Sequence, residues 1–93
     1  MNMKTSSIPQ FRFFRNFNSE SIAARRVFTH NISPSLLNAV LLALRDGYIT
    51  LLFTSGRNPR YKLIVSCESL SGEHRQVFDA LPLLRQVCLE YSE

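Results

Sequence analysis

The sequence contains few of the residues from which catalytic, cofactor and metal sites are built. Its 93 residues include three glycines, two cysteines and two histidines, and tryptophan is absent. The glycines form no phosphate-binding loop, because each stands alone at a predicted turn or helix end. Cys67 and Cys88 lack the C-x-x-C spacing of zinc and redox sites, and nothing in the sequence orients His74 toward Cys67. We therefore expect no enzymatic activity, no cofactor and no metal.

A long apolar segment is also lacking. The longest wholly apolar run, residues 39–44, is far shorter than the ~20 residues that span a bilayer, and no signal peptide is recognisable. Cys67 and Cys88 lie in apolar contexts, which favours two reduced, buried thiols over a disulfide between them. These features predict a cytoplasmic protein that contacts no membrane. We expect a flexible N-terminus of residues 1–9 and a single domain of residues 10–93.

Acidic residues are scarce in the first two-thirds of the chain. Residues 1–62 hold nine Lys or Arg against two Asp or Glu, a net charge of +7, whereas residues 63–93 hold two against five, a net charge of −3. Nine of the eleven basic residues are Arg, whose planar guanidinium suits phosphate and guanine edges better than Lys does. This asymmetry predicts a basic surface that contacts an anionic partner.

Two segments have the apolar spacing of helices. In residues 34–45, Ser33 suits the N-cap and Pro34 the first helical position, while Gly47 can take the left-handed conformation that follows a helix. A second helix is predicted over residues 80–91, with Asp79 as its N-cap. Both have an apolar stripe that must be buried.

The segment between these helices alternates between apolar and polar residues, as half-buried antiparallel strands do. Residues 48–54 and 61–68 are predicted strands joined by a loop at 55–60, and residues 73–78 are predicted as a shorter third strand. The fold class is therefore α+β: a three-stranded antiparallel meander with two helices packed on one face, in the order α-β-β-β-α. That face consists of Ile49, Leu51, Phe53, Tyr61, Leu63, Val65 and Cys67.

The segment before residue 33 is ambiguous. Residues 10–17 interleave four Phe with two Arg and suit either a short strand or one helical turn. These rings can close an open edge of the core, provide a surface on which bases stack, or mediate self-association. Residues 19–31 suit a helix in their first half, whereas residues 26–32 suit a strand.

The predicted order of elements resembles two families of nucleic-acid-binding domains. Double-stranded-RNA-binding domains are also α-β-β-β-α, but they carry a lysine cluster at the start of the last helix, where residues 79–84 are apolar and acidic. Phage-integrase amino-terminal domains lay a three-stranded sheet and a trailing helix against DNA, and residues 77–80 resemble the entry to that helix. A shared order of elements does not assign function.

The candidate binding residues are basic side chains of the N-terminal portion and the predicted hairpin. Loop residues can reach into a groove, and guanidinium groups neutralise phosphates. Solvated surface charges and protection of a sheet edge are the simpler explanations of the same residues. The candidates are Arg12, Arg15, Arg25, Arg26, Arg57, Arg60, Lys62 and Arg75.

Three hypotheses of function follow. The first is a non-enzymatic protein that contacts nucleic acid or a nucleoprotein complex through these arginines. The alternative is an inhibitor or adaptor of a phage or other mobile element, which binds and blocks a host protein or nucleoprotein defence complex. The third is a homodimer that buries residues 11–17 with Leu52 and Ile64, since exposed apolar residues on the outer sheet face mark interaction surfaces.

Overall fold

The computed structural model describes residues 10–67 and 71–91. The predicted flexible N-terminus, residues 1–9, lies outside the described residues. Three strands form one open antiparallel sheet in the order β1-β2-β3, which confirms the α+β class and the three-stranded antiparallel sheet. The elements are β1 Arg12–Phe13, α1 Phe17–Phe28, α2 Pro34–Arg45, β2 Ile49–Phe53, β3 Tyr61–Val65, a 3-10 turn Gly72–His74, α3 Arg75–Asp79 and α4 Leu81–Tyr91.

The third strand is β1 and not the segment 73–78, which is helical. The order is thus β-α-α-β-β-α-α instead of the predicted α-β-β-β-α, so the resemblance in element order to double-stranded-RNA-binding domains does not hold. The reason is a helical stripe: His74, Val77, Leu81 and Leu84 are all buried at spacings of three and four residues, which a helix brings onto one side. α3 and α4 share this stripe.

The N-terminal segment folds mainly as helix. Asn16 caps α1 by accepting a hydrogen bond from the backbone N–H of Ser19 at 2.9 Å, and the helix continues to Phe28. The prediction of a strand over residues 26–32 is therefore wrong, because Val27 and Phe28 complete the buried stripe that Ala23 and Ala24 begin. Upstream, Arg12–Phe13 forms a short strand.

Helix α2 has its predicted bounds and caps. The hydroxyl of Ser33 accepts a hydrogen bond from the N–H of Leu36 at 3.1 Å, and Pro34 is the first helical residue. Gly47 follows the helix with φ +81°, and the N–H of Tyr48 donates to the Ala43 carbonyl at 3.0 Å. Together they form the left-handed C-terminal motif that glycine permits. By contrast Asp79 caps no helix; it ends α3 and pairs with Arg75.

The core lies between the helices and one face of the sheet, the inner face. Ile49, Leu51 and Leu63 on this face are at most 2% exposed; α4 packs on β3, α2 packs on β2, and α1 packs against α2 and α4. The predicted packing of helices on this face is confirmed. Fully burying one such side chain contributes about 1.5–3 kcal/mol. None of the helices in the described residues is long and apolar enough to cross a membrane.

Candidate functional site

The opposite face of the sheet, the outer face, carries one row of side chains that crosses all three strands. Phe13 of β1 is opposite Leu52 of β2, and Leu52 is opposite Lys62 of β3. Residues directly opposite each other in a sheet project to the same side. Phe13 is 70% exposed, Lys62 is exposed and Leu52 is half-buried. The row therefore offers an aromatic ring, an apolar centre and an ammonium group to solvent.

A second aromatic ring lies beside this row. The Nζ of Lys62 is 5.3 Å from the centroid of the Phe11 ring, a cation–π distance. Phe14 instead belongs to the core side, where its ring stacks on that of Phe53 at 4.4 Å. Phe13 and Phe14 thus lie on opposite faces, as strand alternation requires of neighbouring residues, and Phe11 is half-buried beside Lys62.

The β2–β3 loop holds Arg60 at the end of the same face. The backbone N–H of Thr54 donates to the Arg60 carbonyl at 3.0 Å, and the N–H of Arg60 donates to the Thr54 hydroxyl at 2.9 Å. Thr54 is 9% exposed, so this pair anchors the loop to the sheet. Arg60 and Lys62 are two positions apart and share a face. Arg57 is exposed within the loop.

Arg12 lies at the same end of the sheet. It is opposite Phe53, and Phe53 directly precedes the Thr54–Arg60 pair. The structure therefore brings Arg12, Arg57, Arg60 and Lys62 to the hairpin end of the sheet, although Arg12 shares the side of Phe53 and not that of Lys62.

Acidic residues are confined to the helical part of the described chain. Residues 10–16 and 47–67, which form the sheet and its loop, contain no Asp or Glu and five cations: Arg12, Arg15, Arg57, Arg60 and Lys62. Residues 17–46 and 71–91 contain five basic and five acidic residues: Arg25, Arg26, Arg45, Arg75 and Arg85 against Glu20, Asp46, Glu73, Asp79 and Glu90. The net positive charge of the described residues is therefore carried by residues 10–16 and 47–67, which we call the sheet layer.

The remaining sequence-predicted residues lie on helices. Arg25 and Arg26 are exposed in the last turn of α1. At a rise of ~1.5 Å per residue, Arg25 lies about 12 Å along the helix axis from Phe17, the first residue of α1. Arg75 begins α3 and pairs through its Nε with Asp79 Oδ1 at 3.1 Å. Arg75 therefore does not lie on a third strand next to the hairpin, because the segment predicted as that strand is helical.

Glu20 is a polar residue whose role the sequence did not reveal. Its Oε2 accepts a hydrogen bond from the backbone N–H of Leu51 at 2.9 Å. Burial raises the pKa of the Glu20 carboxyl, and this hydrogen bond opposes the rise. No local pattern could have predicted the contact, because the partner lies on another element.

His74 is a buried polar residue. Its ring packs against Tyr48 at 4.7 Å, and its Nε2 lies 3.4 Å from Asp46 Oδ2. A hydrogen bond from Arg45 is the main cause that lowers the pKa of Asp46. Ligand atoms of Asp46, Glu73 and His74 lie within 4.8 Å of one another. A cation there would compete with Arg45, whose Nε is 3.0 Å from Asp46 Oδ1.

Comparison with known proteins adds no family to this description. No protein-family model matches the sequence, and no curated protein or solved structure matches it. The side chains of the sheet and its loop are therefore the basis on which a function can be proposed.

Proposed function

We propose that this protein binds single-stranded nucleic acid on the outer face of its sheet. The observation that carries the proposal is the row Phe13–Leu52–Lys62 with Phe11 and Arg60 beside it, in a layer without Asp or Glu. Aromatic rings interleaved with cations on an open sheet are a common means of holding single strands.

Each type of side chain has a distinct role in this mechanism. The exposed ring of Phe13 stacks with one base and the ring of Phe11 with another; stacking contributes about 1–3 kcal/mol per base. Arg60 and Lys62 neutralise phosphates beside those bases, and Arg57 extends the cationic path along the loop. Affinity then arises largely from counterion release, and it decreases steeply with salt.

A single strand fits this face better than a duplex does. The centre of the face consists of half-buried Leu52, Ile64 and Thr50, of which only the Thr50 hydroxyl can donate to a base edge. Unstacked bases can lie flat against such apolar side chains, whereas a duplex keeps its bases paired and stacked inside. Duplex contacts would be limited to phosphates near the loop.

The proposal is tested by fluorescence anisotropy with labelled single-stranded DNA, single-stranded RNA and duplex DNA of equal length. Binding is measured at a low and a moderate salt concentration. We expect tighter binding of single strands than of duplex and a log–log salt slope of about −2 for three phosphate contacts. Absence of binding at low salt would reject direct nucleic-acid recognition.

The second candidate function is that of an inhibitor or adaptor that binds a protein or nucleoprotein complex, such as a host defence complex. Its support is a mainly apolar groove between β3 and α4, lined by residues 61–65 and by Cys88 and Leu89 among others. In that case free nucleic acid binds poorly, and one protein partner is retained on the immobilised protein. A third possibility, the homodimer, is tested by light scattering at micromolar concentration.

A further inference from the structure

Strand β3 is at the edge of the sheet, and its hydrogen-bonding pattern determines which backbone groups face outward. Thr54 pairs with Arg60, and the N–H of Ser66 donates to the Tyr48 carbonyl, so the even-numbered residues of β3 bond to β2. In an antiparallel pair the intervening residues direct their N–H and C=O groups the other way. Leu63 and Val65 therefore point theirs away from β2, where no described strand pairs with β3.

A groove of about 600 Å³ follows this edge. One wall is β3 itself, and the other is the side of α4 that carries Arg85, Cys88 and Leu89. Leu89 is 62% exposed, although it is apolar, and it lies in the last turn of α4. Phe11 also lines the groove. The groove thus combines outward-facing backbone groups with apolar walls, the two requirements for adding a strand.

The charges at the groove indicate what occupies it. Among the described residues, its lining includes two cations, Lys62 and Arg85, and no Asp or Glu. A second copy of the chain would bring the same two cations against them, which opposes symmetric pairing of two β3 strands. An extended segment with carboxylates would meet a cation on either side, because Lys62 lies on the outer face and Arg85 on the helical side.

We propose that the edge of β3 takes up an extended, acidic and apolar segment of a partner protein as a fourth strand. Its backbone bonds to Leu63 and Val65. Side chains that project toward α4 pack against Leu89, and those on the other side lie near Lys62. This surface shares Lys62 with the nucleic-acid face, but its helical wall does not belong to that face, because Arg85 and Leu89 lie on α4. The two proposals can therefore fail independently.

The opposite side of the sheet is closed to such an addition. β1 has two residues, too few for a partner strand to pair with over its length. Beside it, the carboxylate of Glu20 already bonds the outward N–H of Leu51. Proteins protect the edges of their sheets by shortening the edge strand or by covering it. Among the described residues, the edge strand β3 has five residues and no strand pairs with its outer side.

Selection from a random peptide library on the immobilised full chain tests the proposal. Peptides that are retained by the wild-type protein and lost on Leu89→Glu are sequenced, and Leu83→Glu serves as the matched control because Leu83 is an exposed apolar residue of α4 outside the groove. We expect selected sequences to alternate apolar residues with Asp or Glu. The best peptide should bind Leu89→Glu about tenfold more weakly and Leu83→Glu as tightly as wild type.

Two further measurements distinguish strand addition from simple apolar contact. N-methylation of alternate amides in the selected peptide removes strand hydrogen bonds and should abolish binding. Arg85→Glu should shift selection from acidic toward basic peptides, whereas Arg26→Glu, an equal charge change on α1, should not. Enrichment of sequences without acidic residues, or equal binding of the N-methylated peptide, would overturn the proposal. So would the absence of peptides that discriminate wild type from Leu89→Glu.

Discussion

The carboxylate of Glu20 in α1 bonds the backbone N–H of Leu51 in β2 at 2.9 Å. The N–H of Leu51 points away from β3, and β1 pairs only with Leu52 and Phe53. Without Glu20 this donor would lie at the core side of the sheet with no strand beside it. The contact therefore joins the helical layer to the central strand where β1 ends.

Replacing Glu20 separates the hydrogen bond from the charge. Glu20→Ala leaves the Leu51 N–H without its acceptor, and we expect a loss of about 1–3 kcal/mol in the free energy of unfolding. Glu20→Gln retains a side-chain carbonyl that can accept the same bond and should cost little. Urea denaturation of the three proteins measures this difference; equal stability of the Ala and Gln variants would contradict the assigned role.

The stability of the wild-type protein should depend on pH through the same carboxyl. Burial raises the pKa of Glu20 above its ordinary value of 4.5, and the bond from Leu51 opposes the rise. The folded state thus binds this proton more tightly than the unfolded state does. Its stabilising contribution is fully present below pH 4.5 and is lost as pH rises through the raised pKa.

Glu20→Gln cannot titrate at this position and provides the reference. Its unfolding free energy relative to wild type should increase as pH rises from below 4.5 toward neutrality, and then remain constant. Denaturation at a series of pH values measures this difference. If the two stability curves remain parallel over that range, the raised pKa is not a property of the folded protein.

Charge reversal on the outer face should weaken nucleic-acid binding and its salt dependence together. For Lys62→Glu and Arg60→Glu we expect the log–log salt slope to decrease in magnitude by about 1 each, because each removes one phosphate contact. Arg26→Glu makes the same charge change on α1 and should alter the slope less. Equal effects of all three variants would indicate that net charge, and not the sheet face, determines binding.

The extent to which this surface could be predicted from sequence differs between its parts. Arg57, Arg60 and Lys62 were predicted to lie together because a short loop joins two clearly alternating strands. Phe13 could not be assigned to the same face, since its position depends on pairing with Leu52, distant in the chain. The periodicity of residues 10–17 fits strand and helix equally well.

The helices show the same dependence on local information. α2 was predicted with its bounds because Ser33, Pro34 and Gly47 are cap and stop signals within the segment itself. The helix at 75–79 was mistaken for a strand because its buried stripe begins at His74, a residue that is mostly exposed or intermediate in proteins. A polar residue at a core position conceals the helical spacing.

The ring of Phe13 should contribute to binding and little to folding. It is 70% exposed, so Phe13→Ala should change the free energy of unfolding by less than about 0.5 kcal/mol. Loss of one stacked base should weaken single-strand binding about tenfold. Ile22→Ala, which truncates an exposed apolar residue of α1, is the control and should bind normally; anisotropy titrations that show unchanged affinity for Phe13→Ala would exclude stacking on this ring.

The two cysteines should differ strongly in their rates of alkylation. Cys88 is 1% exposed, and burial raises the pKa of its thiol to about 11. Relative to the ordinary thiol value of 9.0, Cys88 therefore holds roughly 100-fold less of the reactive thiolate at a given pH. Cys67 is half-buried.

Iodoacetamide at mildly alkaline pH should therefore modify Cys67 first and Cys88 only when the chain unfolds. Peptide mass spectrometry over time, with and without urea, measures the two rates in one sample. Cys67→Ser provides the control, because its native form should resist alkylation almost completely and become fully modified in urea. Rapid modification of Cys88 in the native variant would show that α4 separates from β3 far more readily than its packing in the core implies.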